Sequence, residues 1–362
     1  MFRFVHTGDI HIGLKNHGLL DPITRENSRI HDVLKCVDFM IDYLIKEGID
    51  YLFIAGDVFH SKFPGIFEQV EFVKRLQRLN ESKIHTHILL GNHDVSSLNH
   101  KLAALHIPTQ LKLEYIHIYR SHGTYTDDKF SALFLGPYVL QDEAREFIRA
   151  FLQDNTYDTK LLFCHPLIDG CEYSSGVEAE TVEESWDKKL FEEFPELSYV
   201  GMGHVHKHQV ITQKPLSMYC GSISRCDFSE EEDKGFLDVT LWKNRVKYEL
   251  IQTPTRDFVK YKGTQEDLLQ PTTDIKDKIV RLQLTLQPGE LLKAKELKYN
   301  YRDSFNVVFE VTRENNLVQS ANLNTKVFSR NVKLKSALEE YFNTDSEKEE
   351  LIKLAGELQL IQ

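Results

Sequence analysis

Five short stretches constrain this chain more than any other feature: TGDIH (7–11), AGDVFH (55–60), LGNHD (90–94), FCHP (163–166) and MGHVH (202–206). Each directly follows or closes an apolar run that reads as a strand, at 2–5, 51–55, 87–90, 159–163 and 197–202. In α/β sheets, ligands are held by loops leaving the C-terminal ends of strands. Side chains far apart in sequence therefore converge along one rim. These stretches carry Asp9, His11, Asp57, Asn92, His165, His204 and His206.

Carboxylate, imidazole and amide oxygen together make the mixed oxygen/nitrogen donor set of a metal site. A catalytic ion takes about three donors from protein and keeps a position open for water or substrate. Seven donors are about twice that, so the pattern predicts two adjacent divalent ions. The five cysteines (Cys36, Cys164, Cys171, Cys220, Cys226) are an odd number without a C-x-x-C pair, which argues against disulfides and against a zinc finger. Cys164, beside His165, reads as a small apolar residue at a strand end rather than a thiolate nucleophile.

From residue 2 to about 135, strands alternate with helical stretches, the pattern of a largely parallel sheet covered by helices. One helix is predicted over 27–46, with Ile30, Val33, Leu34, Val37 and Ile41 at helical spacing and Gly48 past its end. A second, over 66–79, uses Val70, Val73 and Leu76, and a third covers 143–152. The acidic stretch 169–185 reads as a surface loop, its carboxylates a solvated face. After His206, extended pieces at 209–213, 217–219, 236–242 and 246–251 suit a second sheet. The first domain is expected to close near residue 262. A polar linker follows, then a small α/β domain over 275–332 and a helical tail over 335–362. The tail's two apolar stripes either pack on their own domain or meet a partner helix.

D-x-H, G-D-x-x-H, G-N-H-D, a lone His after a strand and G-H-x-H, in that order, resemble the motifs of the calcineurin-like metallophosphoesterase family. The resemblance implies an α/β fold, a four-layered α/β/β/α sandwich. Within the family, GDVFHSKFP (56–64) lacks the Asp-Arg-Gly of phosphatases, and the stretch 219–241 is similar to that of SbcD-type DNA double-strand-break repair nuclease subunits. Cys220 stands there where Pro is usual.

That resemblance implies a metal-dependent nuclease of DNA repair and recombination, with 3′-to-5′ exonuclease action on duplex ends and endonuclease action on single strands or hairpins. By the family pattern, Asp9, His11 and His206 hold one metal and Asn92, His165 and His204 the other. Asp57 bridges the pair. A water activated between the ions is the nucleophile, and Mn²⁺ is the favoured metal. His93 is expected to contact the phosphate and protonate the leaving oxygen. Asp94 is expected to orient a neighbouring imidazole, and His60 to position the substrate phosphate. The plainer reading of His60 and Asp94 is that each stabilises its loop.

The resemblance further implies a homodimer working with an SbcC-type coiled-coil ATPase on DNA. The net charge of −11 argues against nucleic acid. However, residues 274–335 hold twelve Lys/Arg against seven Asp/Glu, a basic surplus suited to phosphate contacts. No apolar run approaches the roughly 20 residues of a membrane span, and the strand at residue 2 leaves no room for a signal peptide. The expected location is therefore cytoplasmic, at the nucleoid. Two rivals stand beside this reading: a small-molecule nucleotide phosphodiesterase or phosphatase of the same fold, and a scaffold without catalysis. All seven donors are present, which weighs against the scaffold.

Overall fold

A computed structural model describes residues 1–96, 99–175, 185–242 and 245–313, with backbone alone at 96 and 99–103. Met1–Glu314 form one compact unit. The expected tail helices, and the last part of the expected second domain, lie outside the described residues.

The chain begins with β1 (Phe2–Thr7), α1 (Ser28–Glu47), β2 (Tyr51–Ala55), α2 (Ile66–Glu81) and β3 (His85–Leu89). Helix α1 starts where the Asn27 side chain accepts the Arg29 N–H at 2.9 Å. It stops at Gly48, whose φ of 62° is the left-handed conformation that glycine adopts without penalty. Its buried stripe is the expected one. Helix α2 is turned from expectation: Phe72, Leu76 and Leu79 face the core, whereas Val70 is 46% exposed. Phe72 offers more apolar area to bury than a valine does, so its direction sets the face.

The first sheet has the order 245–252, 235–242, β1, β2, β3, 116–119, and the second 209–213, 216–219, 199–202, 160–164, 131–135, 122–126. Strand β1 is parallel to β2 and antiparallel to Gly235–Trp242. In the second sheet, Leu216–Tyr219, Tyr199–Met202, Lys160–Cys164 and Ser131–Leu135 run parallel. The sheets meet through an aromatic layer in which Phe53 and Phe163 stack at 4.2 Å between centroids. Helices α1 and α2 cover the first sheet, and Gln141–Leu152 with Lys189–Glu192 cover the second. This is the four-layered α/β/β/α sandwich.

Phe258–Gly263, where the first domain was expected to close, instead pairs in parallel with Ile279–Leu286. Asn306–Arg313 completes a three-stranded parallel sheet. Alternating Val280, Leu282, Leu284 and Leu286 bury against Leu297 and Tyr301. Arg256 joins this sheet to α1 by a two-pronged bond to Asp32, at 2.8 Å on each oxygen, while its guanidinium lies 3.7 Å above the Phe305 ring. Among the described residues, no helix is long and apolar enough to cross a membrane.

Candidate metal centre

Parallel registers bring the C-terminal ends of β1, β2, β3, Lys160–Cys164 and Tyr199–Met202 to one rim. The turns leaving those ends are strained. Asp9, His11, Asp57 and His204 have φ of 48°, 54°, 52° and 98°, values that non-glycine residues rarely adopt. Such strain persists only where the surroundings over-determine it, and here it falls on four of the seven expected donors. The glycines beside them allow close approach: a Cβ on Gly203 would lie 2.1 Å from the Ala55 carbonyl oxygen, and one on Gly91 would lie 2.1 Å from Asp57 Oδ1.

The structure gathers all seven donors into two adjoining groups. In the first, His11 Nε2 lies 3.0 Å from His206 Nε2, and Asp9 belongs to the same cluster. In the second, the Asn92 side-chain oxygen lies 3.1 Å from His165 Nε2 and 3.0 Å from His204 Nδ1. Asp57 stands between them. Its Oδ2 is 4.0 Å from His11 Nε2 and 3.3 Å from His165 Nε2, one nitrogen of each group.

The outer hydrogen bonds aim these atoms inward. His165 Nδ1 donates to the Ala55 carbonyl at 2.6 Å, which leaves the Nε2 lone pair facing Asp57. His206 Nδ1 donates to Glu230 Oε1 at 2.7 Å, leaving its Nε2 facing His11. Both Asp9 oxygens accept the His204 N–H, at 2.9 and 3.0 Å. Burial raises the Asp9 pKa to about 6, while His165 and His206 pull it down. Burial would also raise that of Asp57, but His165, His11 and His93 outweigh it and hold this carboxyl below its usual range. Two buried carboxylates, one amide oxygen and four imidazoles thus converge on one small region. Two divalent cations fit this donor set, one per group.

Glu230 is a member that sequence reasoning missed. It sits in the acidic run SEEED, which reads as solvated, yet it is 5% exposed. Its Oε2 accepts the Cys226 N–H at 2.8 Å and meets the buried Lys234 ammonium at 2.9 Å. Burial would raise its pKa; the His206 hydrogen bond and Lys234 overcome this and lower it to about 2. Its carboxylate thus orients a donor imidazole. Glu230→Gln is expected to weaken metal binding about 10- to 100-fold, as loss of an outer partner commonly does; titration against a competing chelator measures this.

Asp94 corrects an expectation. Among the described residues it orients no imidazole: its oxygens accept the backbone N–H groups of Val58 (3.1 Å), Phe59 (2.9 Å) and Gly91 (3.0 Å). It pins the loop carrying Asp57 to the loop carrying Asn92, because three unpaired backbone donors in a buried turn need an acceptor. His93 and His60 lie beside the donors. The His93 N–H donates to Asp57 Oδ1 at 2.8 Å, and its Nδ1 donates to the His60 carbonyl at 3.0 Å. The two rings stack at 5.7 Å, and the His93 ring is 5.0 Å from that of His11. Cys164 is fully buried at its strand end, where burial pushes its thiol up and away from thiolate chemistry. His208 donates to the Tyr219 carbonyl and stands outside both groups.

A family model described as calcineurin-like phosphoesterase matches residues 2–208. An uncharacterised metallophosphoesterase of Bacillus subtilis, YhaO, is 24% identical over 265 residues, 68% of this chain and 59% of that protein. The chain thus aligns with about three-fifths of that relative's length. The DNA double-strand break repair protein Mre11 of Halobacterium salinarum is 31% identical over 94 residues, 26% of this chain and 22% of that one. Among solved structures, a dimetal phosphatase of Danio rerio superposes with a TM-score of 0.48 at 10% identity, covering 69% of this chain and 95% of that one.

Proposed function

Since this chain belongs to the calcineurin-like phosphoesterase family, we infer that its two-metal phosphoesterase site cleaves the phosphodiester bonds of DNA. The observation that carries this reading is the imidazole pair His60 and His93, stacked beside the seven donors yet outside them. A DNA strand leaves as a poor alkoxide, which needs a proton as the bond breaks. The similarity to Mre11 over 94 residues supports the same substrate.

When bound, two divalent ions lower the pKa of water and neutralise charge on the phosphate oxygens. Asp9, His11 and His206 would hold one, Asn92, His165 and His204 the other, with Asp57 shared. The mixed donor set favours Mn²⁺ over the harder Mg²⁺. Asn92 is neutral, which limits repulsion of a polyanionic substrate. His93, with Nδ1 fixed on the His60 carbonyl, has Nε2 left to carry a proton to the leaving oxygen. His60 lines the approach to His93 and positions the phosphate.

Metal-stripped protein should degrade end-labelled duplex DNA once Mn²⁺ is restored, with little activity in Mg²⁺. Turnover of a chromogenic phosphodiester beside intact DNA would discard the DNA reading in favour of a small-molecule phosphodiesterase. The homodimer and the SbcC-type ATPase are part of the reading. Co-purification of an ATPase that survives removal of residues 335–362 would contradict the partner role proposed for the tail.

A further inference from the structure

Among the described residues, three of the four edges of the two large sheets are blunted. Ile116–Tyr119 and His122–Thr126 are short, and Gln209–Gln213 is broken by a bulge between Val210 and Thr212. Arg245–Gln252 is the exception. It runs eight residues in unbroken register with Gly235–Trp242 and pairs with no other described strand. A long, regular edge is a template for one strand more.

The direction of its main-chain groups follows from its end. One step beyond the Gly235–Gln252 pair, the Thr253 N–H donates to the Lys234 carbonyl at 3.0 Å. Antiparallel ladders alternate, so the odd-numbered residues of this strand turn their main-chain groups toward Gly235–Trp242. Val246, Tyr248 and Leu250 therefore turn theirs outward. Side chains alternate as well. Val246 and Leu250 pack toward the second sheet, whereas Lys247 and Glu249 are exposed on the other face. Neither charge is matched by a described residue. Glu249 stands opposite Asp238, whose own charge Arg3 already takes at 2.6 Å.

A second copy of the chain supplies the missing partners, and the charges choose the register. A two-fold axis through Val246 would set Arg245 against Lys247. One through Lys247 or Glu249 would set that residue against its own copy, and one through Leu250 would set Glu249 against Ile251. Like charges directly opposite destabilise a strand pair. An axis through Tyr248 sets Lys247 against Glu249 on both sides of the centre and Val246 against Leu250. In that register the outward groups of Val246, Tyr248 and Leu250 all meet outward groups of the copy. Charges on an edge strand commonly discourage pairing; here they alternate in sign and disfavour the other registers.

We propose that Arg245–Gln252 is a dimerisation edge, pairing antiparallel with the same strand of a second copy so that Lys247 faces Glu249. The proposal names a contact surface for the homodimer inferred above and rests on that part of the reading, but on nothing at the metal centre.

Sedimentation equilibrium of the full chain over a concentration series tests it. The unaltered protein is expected to dimerise, and more weakly as salt is raised, because the matched charges lie near solvent. Lys247→Glu turns both facing pairs into like charges and should weaken the dimer at least about tenfold. Glu249→Lys should do the same, and the two together should restore it. Tyr248→Pro removes an outward N–H that no described strand of the same chain uses, which an edge strand tolerates. It should yield monomer with an unchanged circular dichroism spectrum. A monomeric unaltered chain, its edge left for some other strand, overturns the proposal together with the homodimer. A dimer indifferent to every variant overturns this surface alone and keeps the homodimer. So does a double variant no tighter than either single one. None of these results bears on the nuclease reading, which the duplex assay decides.

Discussion

Asp57→Asn is expected to lower phosphodiester turnover by about 10³-fold or more and to reduce the metal content below two ions per chain. One oxygen of Asp57 lies within 4.0 Å of His11 Nε2 and within 3.3 Å of His165 Nε2, so a single side chain serves both groups. An amide removes the shared negative charge, and its nitrogen has no lone pair to offer a metal. Two-metal stabilisation is worth several kcal/mol, and each 1.36 kcal/mol is tenfold in rate. The amide oxygen can still accept the His93 N–H, so the loop should keep its shape. Initial rates measured beside metal content by atomic emission give the answer. Near-normal turnover with both ions retained would remove Asp57 from the shared position.

His93→Leu is expected to separate binding from chemistry. His93 is not among the seven donors, and its backbone contact to Asp57 does not depend on its side chain. Metal content should therefore stay at the level of the unaltered protein. General acid catalysis is worth roughly 10²- to 10⁴-fold, so DNA cleavage should slow by that range. A nitrophenyl ester leaves without needing a proton, and its hydrolysis should slow far less. Equal slowing of both substrates would assign His93 to phosphate binding instead of proton transfer.

Much of this site was legible because the donors lie in short local motifs. Gly-Asp, Gly-Asn-His-Asp and Gly-His-x-His each combine a ligand type with the glycine that lets a strand end approach another, as Gly91 does toward Asp57. Helix α1 was legible because its cap, its stripe and its closing glycine are all near neighbours in sequence. Glu230 was not. Nothing in SEEED separates the buried carboxylate from the exposed Glu231 next to it, and only the fold brings Lys234 and His206 to the former. The residue type of Asp94 leaves open whether it orients an imidazole or stabilises its loop, for a related reason: its three partners are backbone groups whose arrangement no residue type announces.

The sequence by itself determined the donor types and the strand ends that carry them, because hydrophobic periodicity and metal-ligand chemistry are properties of residue identity and spacing; the layered architecture followed from the family resemblance of the motifs. Only the tertiary structure decided which face α2 buries, that Phe258–Gly263 joins the three-stranded sheet, and which outer carboxylate orients His206. Those outcomes depend on which surfaces compete for burial and on contacts between residues tens to hundreds of positions apart, and local pattern carries no record of either.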